Sequence, residues 1–306
     1  MIDTPVLFIT FARPEYAQRS FNAIKDAKPK KLYFYSNKAR GFNDNEIERN
    51  NSVRNLVSKI DWECELKVFF REEYVDVYTS LWSAIDWVFD NEEQAIILEE
   101  DCVASVAFFY YCNQLLNKYK DDLRIWVISG NNVIEGFNPN SYDYFFNSFP
   151  YLYGWASWRN RWQRIWRDRI PIEAMIEYKV FDQVYLKRKA ARQAEKFVYS
   201  IIETRAWDHR FLLTMKCNGG VGVIPKVNLV ENIGIIGEHN QGKKNIFQSI
   251  GNSGQEIYKI DHEPPFVISD YSYTQKFYSS LYLRKRNLLQ KLSLWLSRST
   301  QNSKKS

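Results

Sequence analysis

Over roughly the first 130 residues, apolar and polar positions fall into a repeating two-part rhythm. Short apolar runs at Val6–Phe11, Leu32–Tyr35, Leu66–Phe70, Ala95–Leu98 and Ile125–Ile128 are bounded by polar residues. Runs of this length without internal alternation are the pattern of strands buried on both faces. Between them lie stretches with helical spacing. Pro14 opens one (PEYAQRSFNAIKDA) at a first-turn position, and others cover Ile47–Ile60, Val77–Phe89 and Ala107–Tyr119. Strand and helix in alternation predict βαβ units and a mainly parallel sheet flanked by helices, an α/β fold.

From about residue 131 the rhythm breaks. The stretch YLYGWASWRNRW (151–162) crowds Tyr, Trp and Gly between basic residues and fits no simple amphipathic element. Helical patterning returns over Lys179–Ile202. The last patterned segment, Lys276–Arg298, places Phe277, Leu281, Leu288, Leu292 and Trp295 at helical spacing among basic residues. We therefore expect one α/β domain over 1–265 and a basic amphipathic C-terminal helix and tail over 266–306.

Charge sharpens that division. The net charge is +6, yet eight Lys and Arg and no acid follow Asp270, which leaves the preceding chain near neutral at −2. That distribution argues against a nucleic-acid binder and for a basic tail suited to an anionic membrane surface. Its competing reading is a helix docked on the domain. The four cysteines are dispersed, without a C-x-x-C pair, and no segment approaches the ~18 apolar residues of a membrane span. The amino end carries Asp3 where a secretory signal needs positive charge. A cytoplasmic protein, peripheral on the inner face of the membrane, is the expectation.

The chemistry concentrates at AIILEED (95–101), an apolar run that stops in three carboxylates, Glu99, Glu100 and Asp101. Adjacent acids raise one another's cost of ionisation unless a positive partner, Lys, Arg or a metal ion, relieves it. In parallel sheets ligands bind beyond the carboxyl ends of strands, and these acids sit at such an end. The bland alternative is a solvated helix N-terminus. Familiar phosphate motifs are missing: no G-x-G-x-x-G follows the first strand, and there is no P-loop or G-x-S-x-G elbow. Three histidines supply few ligands for a zinc hydrolase. Carboxylates suit a hard cation, Mn²⁺ or Mg²⁺, completed by substrate phosphates.

Four blocks, in order, carry a family resemblance: PVLFITFARPEYAQRSFNAI, AIILEEDC, YGWASWRNRW, and WDHRFLLTMKCNGGVGVIPKVNLVENIG with a following GEHN. Together they span roughly residues 5–240. The chain resembles metal-dependent nucleotide-sugar glycosyltransferases of the GT-A fold, in particular a bacterial surface-polysaccharide group related to N-acetylglucosaminyltransferase I. The resemblance implies transfer from a nucleotide-diphosphate donor, UDP first, to a glycan or lipid-linked acceptor, with inversion. It implies Asp101 as direct metal ligand, with His239 approaching the metal or diphosphate. Glu99, Glu100, Arg13 and Asn37 would face the donor, Asn37 standing where an acid often contacts the base. Gly154 and Trp155 would lie where donor and acceptor sugars meet, and Asp208 would be the base that deprotonates the acceptor. Asp208 also reads as a helix N-terminal acid, and Arg159, Arg161, Arg164, Arg167 and Arg169 as either a solvated helix face or an anion site. The segment REEYVDVYTSLW (71–82) departs from the family in having no Gly. Two rival functions share parts of this pattern, a sugar nucleotidyltransferase and a non-catalytic binding module.

Overall fold

The computed structural model describes residues 2–134, 137, 142–185, 187–234 and 259–279. Its first half follows the apolar rhythm closely. Strand β1 (Val6–Thr10) leads to helix α1 (Pro14–Ala27), β2 (Lys31–Ser36) to α2 (Asp44–Arg54), and β3 (Glu65–Phe70) to α3 (Val77–Asn91). Then come β4 (Gln94–Glu99), β5 (Cys102–Ala104), α4 (Val106–Tyr119) and β6 (Ile125–Ser129). Side chains fix the helix starts. Asn43 accepts from the Glu46 amide, Asp76 from Tyr78 and Thr79, and Ser105 from Phe108. The helix expected over Ile47–Ile60 starts earlier and ends as a 3₁₀ turn, Asn55–Lys59.

The second half contains elements the pattern did not announce. They are β7 (Tyr144–Asn147), β8 (Trp155–Trp158), and the short helices α5 (Arg159–Trp162), α6 (Ile172–Glu177) and α7 (Val180–Val184). After them follow α8 (Arg188–Thr204), α9 (Trp207–Cys217), β9 (Val221–Pro225), β10 (Val230–Asn232) and α10 (Tyr271–Phe277). The single helix expected over Lys179–Ile202 is thus two. Lys179 sits in the left-handed region (φ 50°), and Tyr185 and Lys187 are extended between α7 and α8.

The main sheet has the order β3-β2-β1-β4-β8-β6-β9-β7. Strands β3, β2, β1 and β4 are parallel neighbours, and β6 is parallel to β9. Strand β8 runs antiparallel to both β4 and β6, and β7 antiparallel to β9. Six strands therefore share one direction, and the mainly parallel α/β fold is observed. A separate two-stranded ladder pairs β5 with β10 just past the carboxyl end of β4.

Three buried clusters hold the layers. On one sheet face Phe8, Phe34 and Leu98 pack with Phe21 of α1 and Phe108 of α4. On the other, Leu7, Tyr35 and Ile97 pack with α3 and with Trp155, Trp162 and Trp207. The third joins Phe145 and Phe149 to α8 and to Tyr273 and Phe277 of α10. This third cluster moves the expected boundary at residue 265. Asp270 caps α10 by accepting from the Tyr273 amide, and its own carbonyl accepts from the Asn147 side chain, so residues up to 279 belong to the domain. The rest of the expected C-terminal helix lies outside the described residues. Among the described residues no helix is long and apolar enough to cross a membrane.

The basic run at 159–169 divides: Arg164, Arg167 and Arg169 are exposed, whereas Arg161 is buried and Arg159 half-buried. Arg161 is 1% exposed and donates to the carbonyls of Tyr119, Lys120, Asp122 and Ile125. Arg159 donates to the Phe89 carbonyl and to Glu93, and Arg167 pairs with Asp86. These cations staple the loops around β6 and α3 to the sheet. A buried cation is tolerated when its donors are satisfied in this way.

Candidate active site

The carboxyl ends of β1, β2 and β4 open onto a cleft of about 490 Å³. Its floor is the acid triplet that ends β4. Glu100 is buried, accepting from the Phe11 amide at 2.8 Å and from Arg13 Nε at 2.6 Å. The same guanidinium reaches Asp101 Oδ2 through Nη1 at 2.9 Å. The positive partner of the acids in this structure is therefore Arg13, brought across 87 residues by the adjacency of β1 and β4. Burial pulls the Arg13 guanidinium down, but Asp101 and Glu100 together hold it above its ordinary value. Burial pushes Glu100 up in spite of Arg13 and the Phe11 amide. Arg13 keeps 30% of its side chain exposed toward the cleft.

Glu99 is the triplet member that Arg13 does not hold. Burial first, then Asp101, push its carboxyl up to about 8, with Asp208 adding to the effect. Burial and its acidic neighbours thus favour the protonated form of Glu99, and a cation beside it would favour the carboxylate. Asp101 is only 14% exposed, and a third constraint keeps it in place. The Gly234 backbone comes so close that a Cβ there would stand 2.2 Å from Asp101 Oδ2. The Ile233 amide also donates to the Asp101 carbonyl at 2.8 Å.

At the outer end of this cleft Phe11 and Tyr74 lie with ring centroids 6.2 Å apart, and the Arg40 guanidinium is 5.8 Å from each. The Gly-less segment therefore contributes a ring where relatives were expected to bring backbone. Asn37 lines the cleft, but its amide is spent on structure. Its Nδ2 donates to the Val75 carbonyl at 2.8 Å and its Oδ1 accepts from the Lys38 amide at 3.0 Å. These bonds pin the segment that carries Tyr74.

A second cleft, about 660 Å³, adjoins the first and shares Val77, Leu81, Glu99 and Tyr153 with it. It contains Asp208, on the first turn of α9 and 42% exposed. Asp208 is the helix N-terminal acid that the pattern also allowed, one residue inside the Ala206 N-cap; among the described residues its carboxylate accepts no hydrogen bond and only faces His209 Nε2 at 4.0 Å. Burial, then the thiol of Cys102 and the acids Glu99, Asp101 and Asp208, raise the Tyr153 hydroxyl well above its usual range. Tyr153 lines both clefts, as Glu99 does.

Gly154 and Trp155 do not line either cleft. Trp155 is 1% exposed and stacks on Trp207 with centroids 5.3 Å apart and planes at 22°. Because β8 is buried on both faces, its tryptophans point into cores; Trp155 props up the start of α9, directly before Asp208. Gly154, at φ 74°, packs its backbone against Val230 and Leu98. Their neighbour Tyr153 is the residue that reaches the junction. His239 lies outside the described residues.

A divalent cation can be tested against the donor set. Among the described residues no group of three or more His, Cys, Asp or Glu side chains is arranged to hold a metal ion. Both Glu100 oxygens are committed, to Arg13 and the Phe11 amide, whereas Asp101 gives only Oδ2 to Arg13, which leaves Asp101 Oδ1 and Glu99. One or two carboxylates completed by substrate phosphates is a normal donor set for Mg²⁺ or Mn²⁺, so the residues fit a cation that arrives with its substrate.

No model of a known protein family matches the chain, and no curated protein matches it. Among solved structures it is similar to a UDP-glucose pyrophosphorylase complexed with UDP-glucose, at 8% identity over 74% of this chain and 90% of that one, with a TM-score of 0.36. It is similar to the glycosyltransferase GlyE of Streptococcus pneumoniae TIGR4 at 10% identity, over 70% of this chain and 43% of that one, TM-score 0.34. A third likeness is to HddC from Yersinia pseudotuberculosis, at 9% identity over 51% and 78%, TM-score 0.32. These likenesses are distant, and the assignment of roles rests on the geometry of the two clefts.

Proposed function

We propose that this chain is a glycosyltransferase that moves a sugar from a nucleotide-diphosphate donor, UDP first among them, to a glycan or lipid-linked acceptor. The observation that carries the reading is the junction of two clefts at Glu99 and Tyr153, with Arg13 and Asp101 on one side and Asp208 on the other. A sugar transfer needs charge stabilisation at a leaving diphosphate and a base at the incoming hydroxyl, on opposite sides of one carbon. The two clefts supply these in separate places.

In this reading the nucleotide base lies against Phe11 and Tyr74, and the diphosphate reaches toward Arg13. Arg13 is well suited to phosphate oxygens because its planar fork offers several donors. Asp101 and Glu99 would hold Mn²⁺ or Mg²⁺ together with the diphosphate, and the cation would supply Lewis-acid stabilisation to the leaving group. Asp208 takes the proton of the acceptor hydroxyl, which favours inversion. Tyr153 keeps its phenol proton and bridges the two clefts as a donor. The basic residues beyond Asp270 suit an anionic membrane on which a lipid-linked acceptor would lie.

The test is incubation with a panel of UDP- and GDP-sugars, with Mn²⁺ and with or without added diphosphate, reading the nucleotide products. Release of the nucleoside diphosphate is the expected outcome. Formation of a nucleoside triphosphate and a sugar phosphate would replace this reading with a nucleotidyltransferase. Binding without turnover on any acceptor would leave a binding module.

A further inference from the structure

The second cleft holds a charge that the transfer chemistry does not use. Lys216 sits on α9 two turns beyond Asp208, so that Asp208, Leu212 and Lys216 form one stripe along the cleft wall. Its ammonium lies 4.1 Å from the Phe149 ring centroid and 5.7 Å from that of Tyr185. Among the described residues it has no carboxylate or carbonyl partner, and burial pulls its amine down to about 8. The adjacent Cys217 thiol, which burial raises to about 11, stays neutral and gives no counter-charge.

An ammonium offers three donors and no acceptor. Against two aromatic faces it gains a cation–π attraction, but among the described residues no protein oxygen matches its N–H groups. Three cations of the 159–167 segment are matched within the protein: Arg161 by carbonyls, Arg159 and Arg167 by acids. Lys216 differs by facing a cavity, and the cavity is where its partner would come from. The aromatic walls around it suit the apolar faces of sugar rings.

We infer that the second cleft takes an acceptor carrying an anionic group, a phosphate or a carboxylate, held by Lys216 while Asp208 meets the reacting hydroxyl. This names the acceptor class of the proposed transferase and rests on that reading. Eight residues of helix separate Asp208 from Lys216, about 12 Å at 1.5 Å per residue. That is the rise between their Cα atoms, and helical side chains lean back toward the N-terminus, so the lysine reaches along the cleft toward the Asp208 end.

The experiment titrates the full chain calorimetrically with inorganic phosphate, methyl glucuronide and neutral methyl glucoside. At least one anion is expected to bind tenfold or more tightly than the glucoside. Lys216→Met erases that margin, and Lys216→Arg, which keeps the charge, preserves it. Preference for phosphate points to a phosphate-bearing acceptor, and preference for glucuronide to an acidic sugar. Equal affinity of the wild type for all three probes, or no binding of any, overturns the inference without recourse to a variant. A margin that survives Lys216→Met overturns it as well. UDP titrated into the same samples separates the two readings. UDP binding without anion preference keeps the transferase and removes the anionic acceptor; anion preference without UDP binding does the reverse.

Discussion

The two clefts differ in how their charges are balanced. In the first cleft the ionic groups answer one another: Arg13 spans Glu100 and Asp101, and Arg40 is matched by Glu46. In the second cleft the Cα atoms of Asp208 and Lys216 are about 12 Å apart on one helix face, and among the described residues no ion pair joins them. The first is a pre-assembled electrostatic site whose parts hold each other in position before any ligand enters. The second leaves one carboxylate and one ammonium for a substrate to match. A base needs that freedom, because a carboxylate already holding strong donors is a poor proton acceptor. Leaving groups need the opposite, fixed donors aimed where charge develops.

Several substitutions break or sharpen that contrast. The largest effect is expected at the isolated carboxylate: Asp208→Asn should lower kcat roughly 10²–10⁴-fold, the usual contribution of a general base, while UDP affinity measured by calorimetry stays within about twofold. Next comes the pre-assembled side. Arg13→Ala leaves buried Glu100 without its cation, and breaking such a pair costs about 3–5 kcal/mol. Arg13 is itself 30% exposed, so the low end, about 3 kcal/mol, is expected in urea unfolding, together with loss of UDP binding. The corresponding Asp208→Asn variant should unfold with an unchanged midpoint.

Gly234→Ala tests the close approach to Asp101. A Cβ 2.2 Å from Oδ2 must displace the carboxylate or the strand end, at about 1–3 kcal/mol. Metal-dependent UDP binding should weaken at least tenfold while α9 and the anion preference of the second cleft are untouched.

The smallest effect is in pH. With its amine pulled down to about 8, Lys216 in the free protein loses its charge as pH rises through that value, whereas an ordinary lysine keeps it to ~10.4. Affinity for an anionic probe should therefore fall by up to about tenfold between pH 8 and 9. Glu99, Asp208, His209, Tyr151, Tyr153 and Tyr185 face the same cleft, and Cys217 adjoins it. Subtracting the Lys216→Arg profile removes their common titrations and leaves the lysine's.

The contrast also explains what could be read from the sequence. On the donor side each strand is an isolated apolar run and each helix begins at a recognisable residue, so β1, α1, β4 and the acids at 99–101 were all expected near their observed places. The ion pair from Arg13 to Glu100 was not legible, because 87 residues separate the partners and only the β1–β4 register joins them. On the acceptor side β8 has all four residues buried, so it shows no alternation, and it enters the sheet between β4 and β6 against the direction of the rest. The aromatic and basic residues of YGWASWRNRW therefore pointed outward on paper and inward in the fold: Trp155 to Trp207, and Arg161 to four carbonyls. Lys216 carried no signal at all, since one lysine near the end of a helical pattern is ordinary until Phe149, 67 residues earlier, is placed beneath it. Tyr153 is the first residue of the YGWASWRNRW block, directly before Gly154, but its position at the junction depends on the reversal of β8.

The most direct test of the central claim is calorimetric titration of UDP and GDP, with and without Mn²⁺, into the wild type and Asp101→Asn. The account predicts that UDP binds, that Mn²⁺ tightens it, and that Asp101→Asn removes the metal's contribution. No binding of either nucleotide under any condition would contradict it. Arg13, Glu100 and Asp101 would then be a structural ion-pair cluster closing the end of the sheet.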